Sequence, residues 1–159
     1  MQQAVFNCLL FSTQPFQAAV FRPEFLKHWC MSFIAKLTID GEDSNVLYCN
    51  FRFTQVTDAT GRPSSKPQGG SIALTVESTG KADLFDWMIS PTQTKSGIIT
   101  FYRRDTMSKL KTLNFSDAHC VDYQEEYRHD GQFPMQVTVL LSAKELKLND
   151  SSFKNNWPG

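Results

Sequence analysis

The chain has 159 residues, and 16 Lys and Arg face 16 Asp and Glu, so its formal net charge at pH 7 is +0. That length holds one domain with a sizeable core, and the balance leaves no whole-chain field to draw it to nucleic acid or an anionic membrane surface. A hydrophobic content of 41% and a charged content of 20% are those of an ordinary globular protein, and no run approaches the roughly 20 apolar residues that span a bilayer.

Residues 1–30 differ in character from the rest of the chain. Phe6, Phe11, Phe16, Phe21 and Phe25 fall here with a single acidic residue, Glu24. A secretory signal fits poorly. No basic segment precedes the apolar patch, Asn7 and Cys8 interrupt it, and no small-residue cleavage site ends it. A surface-lying helix would be broken by Pro15 and Pro23. The expectation is a non-native or disordered extension, with a natural start at Met31 and one domain over 31–159.

From Met31 the apolar residues alternate with period two, the mark of half-buried strands. Phe33, Ala35, Leu37 and Ile39 predict a first strand, and Asp40–Asp43 (DGED) a turn. Leu47, Cys49, Phe51 and Phe53 predict one face of a second strand, and Ile72, Leu74 and Val76 one face of a third. In Lys81–Ile89, Leu84, Phe85, Met88 and Ile89 recur at helical spacing beside Trp87, and Pro91 stops the run. Further strands are expected at 97–104, 110–115, 118–127 and 134–148, with Gly131 and Pro134 marking the turn before the last. The sum is a mainly β chain: an antiparallel β-barrel or sandwich of two sheets with one short flanking α-helix at about 81–89.

Between the second and third strands lies a polar stretch, Thr57 to Gly70 (TDATGRPSSKPQGG), with no large apolar side chain. A loop that long is uncommon in a compact domain and usually covers a site or reaches a partner. A contact arm for assembly is the first reading. Its candidate contact residues are Thr57, Asp58, Thr60 and Arg62, followed by Pro63, Lys66, Pro67 and Gln68.

The chain offers little for catalysis, cofactor or metal. Cys8, Cys30, Cys49 and Cys120 form no CxxC pair and read as free thiols of a reducing cytosol. Of the histidines His28, His119 and His129, only His119 has chemical neighbours, Cys120 and Asp117. Adjacent strand residues face opposite ways, which separates His119 from Cys120 and Glu125 from Glu126. DGED lacks calcium-loop spacing, and GRPSSKPQGG lacks the GK[ST] of a phosphate loop. Two aromatic-basic clusters, Phe51-Arg52-Phe53 and Phe101-Tyr102-Arg103-Arg104, could serve a single-strand nucleic-acid binder. Alternation already accounts for them as core rings with outward arginines. On an assembling barrel, outward Arg103 and Arg104 would pair with acids of a neighbouring copy, such as Asp83, Asp86 or Glu77.

Four segments then become specific: TDATGRPSSKPQGGSIALTVESTG, DLFDWMISPTQTKSGIITFYRRD, MSKLKTLNFSDAHCVDYQEEY and a terminal NNWP. Together they resemble the tube protein of type VI secretion systems (hemolysin-coregulated protein, Hcp; TssD), over essentially Met31 to Pro158. The resemblance implies a non-enzymatic structural protein: a small β-barrel of two sheets with a flanking helix that forms six-membered rings. The rings stack into a hollow tube inside a sheath, and contraction expels the tube, sometimes with effectors in its lumen. It further implies a protein made in the bacterial cytoplasm and secreted through the apparatus without a signal peptide. Partners would be further copies, the sheath, the spike or baseplate, and effectors, with no nucleic acid and no membrane insertion. Ending soon after its last strand, the chain reads as a bare tube subunit. Exposed edges of an incompletely closed barrel would pair between copies, and the long loop would reach the adjoining ring through Arg62 and Lys66. The alternative is a single-stranded nucleic-acid-binding or small-ligand-binding β-barrel module.

Overall fold

The computed structural model describes residues 34–130 and 135–157. Residues 1–30, Phe33, and the expected turn at Gly131 and Pro134 lie outside the described residues. The elements in chain order are β1 (Ala35–Ile39), β2 (Glu42–Phe51), β3 (Ser71–Glu77), α1 (Asp83–Ile89), β4 (Lys95–Tyr102), β5 (Lys109–Tyr127), β6 (Met135–Leu148) and β7 (Ser151–Lys154).

The strands run in the order β3-β2-β1-β4-β5-β6-β7, and β3 also pairs with β6, from Ser71 opposite Ser142 to Glu77 opposite Gln136. One antiparallel sheet therefore closes on itself as the expected β-barrel. The β3–β6 ladder also removes the open edge expected there. Beyond it β7 pairs with Glu145–Leu148 of β6 and so continues the lane of β3. The β1–β2 connection is a two-residue turn in which Asp40 (φ 53) and Gly41 (φ 85) are both left-handed, as a hairpin of this twist requires.

Alternate side chains fill the barrel. Leu37, Ile72, Leu74, Ile99, Leu113, Phe115, Val139 and Leu141 are all at most 2% exposed. Three local departures from strict alternation stand out. A bulge between Val46 and Tyr48 shifts the parity of β2, so Val46 packs on the core in place of the expected Leu47, with Cys49 and Phe51 following in phase. The two strands expected at 110–115 and 118–127 are one, β5. Asp117 takes φ 49 in a bulge against β4, its N–H donating to Ser96 Oγ at 3.2 Å, while pairing with β6 runs on through Ser116 and Ala118. Phe53 lies past the end of β2, 42% exposed, its ring edge-on to Phe153 at 4.9 Å.

The helix starts at Asp83 and presents Leu84, Trp87 and Met88 to the core, with Trp87 0% exposed. Phe85 and Ile89, expected on the same stripe, are 47% and 62% exposed. A seven-residue helix has room for one inward stripe, and the indole claims it. Antiparallel pairing throughout places α1, the β1–β2 turn and the β5–β6 connection at one end of the barrel. Residues 52–70, the β4–β5 turn and the β6–β7 turn lie at the other.

Candidate assembly surfaces

Residues 54–68 form a ribbon rather than a slack loop. Thr54 and Gln68 exchange both backbone hydrogen bonds, at 2.8 and 2.7 Å. Ser64 N–H donates to Val56 C=O at 2.8 Å, and Asp58 N–H to Arg62 C=O at 2.9 Å. Ser65 Oγ accepts from Val56 N–H at 3.0 Å, standing in for a backbone carbonyl across the ribbon. At the tip, the Asp58 carboxylate accepts from Thr60 Oγ1 (2.7 Å), Thr60 N–H (2.9 Å) and Arg62 N–H (3.0 Å). The Thr60 hydroxyl first, then the Arg62 and Thr60 amides, hold Asp58 below the usual carboxylate range. The charges of Arg62 and Lys66 stand in solvent, as do the side chains of Thr57, Asp58, Thr60, Pro63, Pro67 and Gln68.

The base of this arm is tied to the barrel. Gly69 lies so close to the Phe53 ring that a Cβ there would overlap it, and Gly70 takes φ 100. Asn155 Nδ2 donates to Gly69 C=O at 3.1 Å and to Ala143 C=O at 2.9 Å, joining the arm, β6 and the end of β7. Sequence reasoning gave Asn155 no role; its only signal was its place in the terminal NNWP segment.

Arg103 and Arg104 project from the β4–β5 turn, which is held by Arg103 N–H donating to Ser108 C=O at 2.8 Å. They share the arm's end of the barrel. Asp83 and Asp86 are exposed on the first turn of α1 at the opposite end. One copy therefore does not bring these arginines and aspartates together. Glu77, at the helix end, accepts from Asn45 Nδ2 at 3.0 Å.

The residues weighed for chemistry are dispersed. Cys120 faces the core at 9% exposure, where burial raises its thiol pKa. His119 points outward beside Trp157, ring centroids 5.8 Å apart. Glu125 accepts from Tyr123 Oη at 3.0 Å, whereas Glu126 pairs with Arg128 at 3.1 Å. Phe51 and Phe101 pack partly against the core, and Lys111 Nζ sits 5.8 and 5.4 Å from their ring centres. That cation occupies ring faces a base would need for stacking.

Comparison with known proteins bears on these surfaces. The family model described as hemolysin coregulated protein Hcp (TssD) matches residues 31–158. The structure of Hcp1 from Flavobacterium johnsoniae superposes with a TM-score of 0.74 at 38% identity, covering 77% of this chain and 100% of that one. Two more distant structures share the fold. Hcp1 from Salmonella typhimurium has a TM-score of 0.61 at 17% identity, over 77% of this chain and 92% of its own. The secreted protein Hcp3 from Pseudomonas aeruginosa has a TM-score of 0.55 at 13% identity, over 80% and 100%. No curated protein matches the chain in sequence.

Proposed function

We infer function from membership: the chain belongs to the hemolysin coregulated protein (TssD) family, and it is a structural subunit of the type VI secretion inner tube. In this reading six copies close into a ring, rings stack into a hollow tube, and sheath contraction expels the tube from the cell without a signal peptide. Sheath, spike or baseplate, and effectors in the lumen are its partners.

The observation that carries the reading is the filled interior. Inward side chains such as Ile72, Leu74, Ile99 and Leu141 are 0% exposed and fill the middle of the barrel, and the cavity lined by Leu37, Ile39, Val76, Leu84 and Val137 lies at its helix end. What such a barrel offers is its outside, so any channel is built between copies. The projecting ribbon supports the same view. Its backbone bonds and prolines preorganise Thr57–Gln68, which reduces the entropy lost when the arm docks on the adjoining ring. Residues 1–30 lie outside the family match and, on this reading, outside the tube subunit. Native mass spectrometry of the full chain tests the proposal: a species six times the 18.1 kDa subunit is expected, and a monomer at high protein concentration would overturn it.

A further inference from the structure

The arm is the outer part of the β2–β3 hairpin. Inside the barrel wall β3 lies between two partners, so Ile72 faces Phe51 of β2 on one side and Leu141 of β6 on the other. Beyond Gly70 only one partner is kept. The two hairpin limbs go on pairing through Thr54–Gln68 and Thr57–Pro63. Contact with β6 ends at Gly70 C=O, which accepts from Ala143 N–H at 2.8 Å. Strand β6 itself runs on to Leu148, and there the same edge is taken by β7, with Glu145 facing Lys154 and Leu148 facing Ser151. One edge of β6 is thus divided between two strands that meet end to end at Ala143 and Lys144.

The junction is closely built. Asn155 N–H donates to Lys144 C=O at 2.8 Å, while its Nδ2 bonds Ala143 C=O on β6 and Gly69 C=O on the arm. A Cβ on Gly70 would run into the Asn155 side-chain amide and stand 2.7 Å from Ala143 C=O. Glycine at φ 100 is what lets the hairpin turn out of the lane beside the incoming β7. Phe153, opposite Leu146, sets its ring against Phe53 at the foot of the arm. Past Asn155, Trp157 reaches His119 of β5.

With β7 gone, the β3–β6 register could continue one residue for one. From Ser71 opposite Ser142, Gln68 would come to face Glu145 and Lys66 to face Lys147, the places that Lys154 and Ser152 now hold. Neither competitor is a strong strand. Pro67 has no N–H and Gly69 and Gly70 add no side chain; β7 has four residues, of which only Phe153 is not exposed.

We propose that β7 is a displaceable wedge: by holding the β6 edge at Glu145–Leu148 it peels the β2–β3 hairpin off the barrel wall and keeps residues 54–68 projecting. Asn155 is the positioning residue that locks it there. When β7 leaves, the hairpin zips down on β6 and the arm is withdrawn, since a bare strand edge favours whichever partner is at hand. The wedge is a property of one chain. Only its consequence, an arm presented to other copies while β7 is seated, rests on the tube-subunit reading.

The full chain carrying Lys66→Cys/Lys147→Cys reads the arm's position. Both native side chains are exposed. A disulfide needs Cα atoms about 4.4–6.8 Å apart, which facing residues of an antiparallel ladder satisfy at about 4.5–5.5 Å. After treatment with oxidised glutathione, peptide mass mapping of chains of single-subunit mass measures the 66–147 bond apart from any made by the chain's own cysteines. Little of it should form while β7 is intact. Adding Phe153→Ala/Asn155→Ala should raise the yield severalfold, and Asn155→Ala alone, which removes no core side chain, by a smaller factor. A bond that forms as readily with β7 intact, or a yield unchanged in both variants, would overturn the proposal. Because the bond lies within one chain, these outcomes stand apart from the absence of six-membered rings, which would overturn the tube reading instead.

Discussion

Replacing Gly97 with alanine should destabilise the barrel at a position that looks permissive in sequence. Gly97 lies in β4 between Ile39 and Phe115 of the neighbouring strands. A Cβ built there would come 2.6 Å from Phe115 Cζ, 2.8 Å from Thr38 C=O and 2.9 Å from Ile39 Cγ1. Ordinary contact between such atoms is about 3.5–4.0 Å, so something must move by close to an ångström. Thr38 is backbone inside a ladder, and Phe115 is 1% exposed in the core, so neither yields freely. Overpacking of this kind costs about 1–3 kcal/mol, offset in part by roughly 0.5–1 kcal/mol from a less flexible unfolded chain. A net loss of about 1–2 kcal/mol lowers the melting temperature by roughly 3–10 °C in a domain of this size. Phe115→Leu in the same chain removes the ring tip, so the double variant should be less destabilised than the sum of the singles by about 1 kcal/mol. A Gly97→Ala protein that melts with the wild type, or strict additivity with Phe115→Leu, would refute the reasoning.

Trp87→Ala empties the centre of the helix–barrel contact and leaves Gln93 C=O without its indole donor at 3.2 Å. It should cost about 3–5 kcal/mol in urea unfolding, against about 1 kcal/mol for Phe85→Ala, whose ring only meets Tyr123 edge-on. Asp58→Ala should leave global stability nearly unchanged while speeding hydrogen exchange at the Thr60 and Arg62 amides. Because Asp58 is depressed, the same protection is present above the ordinary carboxylate pKa and is lost as pH falls through the lowered value. Burial pushes the Cys49 thiol up to about 11 from 9.0, opposed by Lys111. The unfolded chain loses this proton first, so unfolding experiments should show stability level below pH 9 and falling between about pH 9 and 11, with a smaller fall in Cys49→Ala.

The inward rows of β1, β3 and β6 were legible in the sequence because uninterrupted alternation has one structural meaning. It failed at Leu47 and Asp117, where a bulge inserts a residue that no pattern of apolar side chains announces. The helix was legible as an element, but not its face: Leu84, Phe85, Met88 and Ile89 fit one stripe as well as Leu84, Trp87 and Met88 do, and only packing separates them. Ser151–Lys154 is too short and polar to read as a strand, and closure of β3 on β6 joins residues far apart in the chain, from Ser71 with Ser142 to Glu77 with Gln136. The arm was visible through its glycines and prolines. Its internal ladder was not, since it depends on the Ser64 and Ser65 hydroxyls and on Asp58 folding back on its own turn.

The most direct test of the central claim is cryo-electron microscopy of the purified full chain at low ionic strength. Six-fold rings with a central channel, the 54–68 ribbon of each copy lying against the next ring, are the predicted result. Isolated monomers, or closed dimers with no channel, would contradict it.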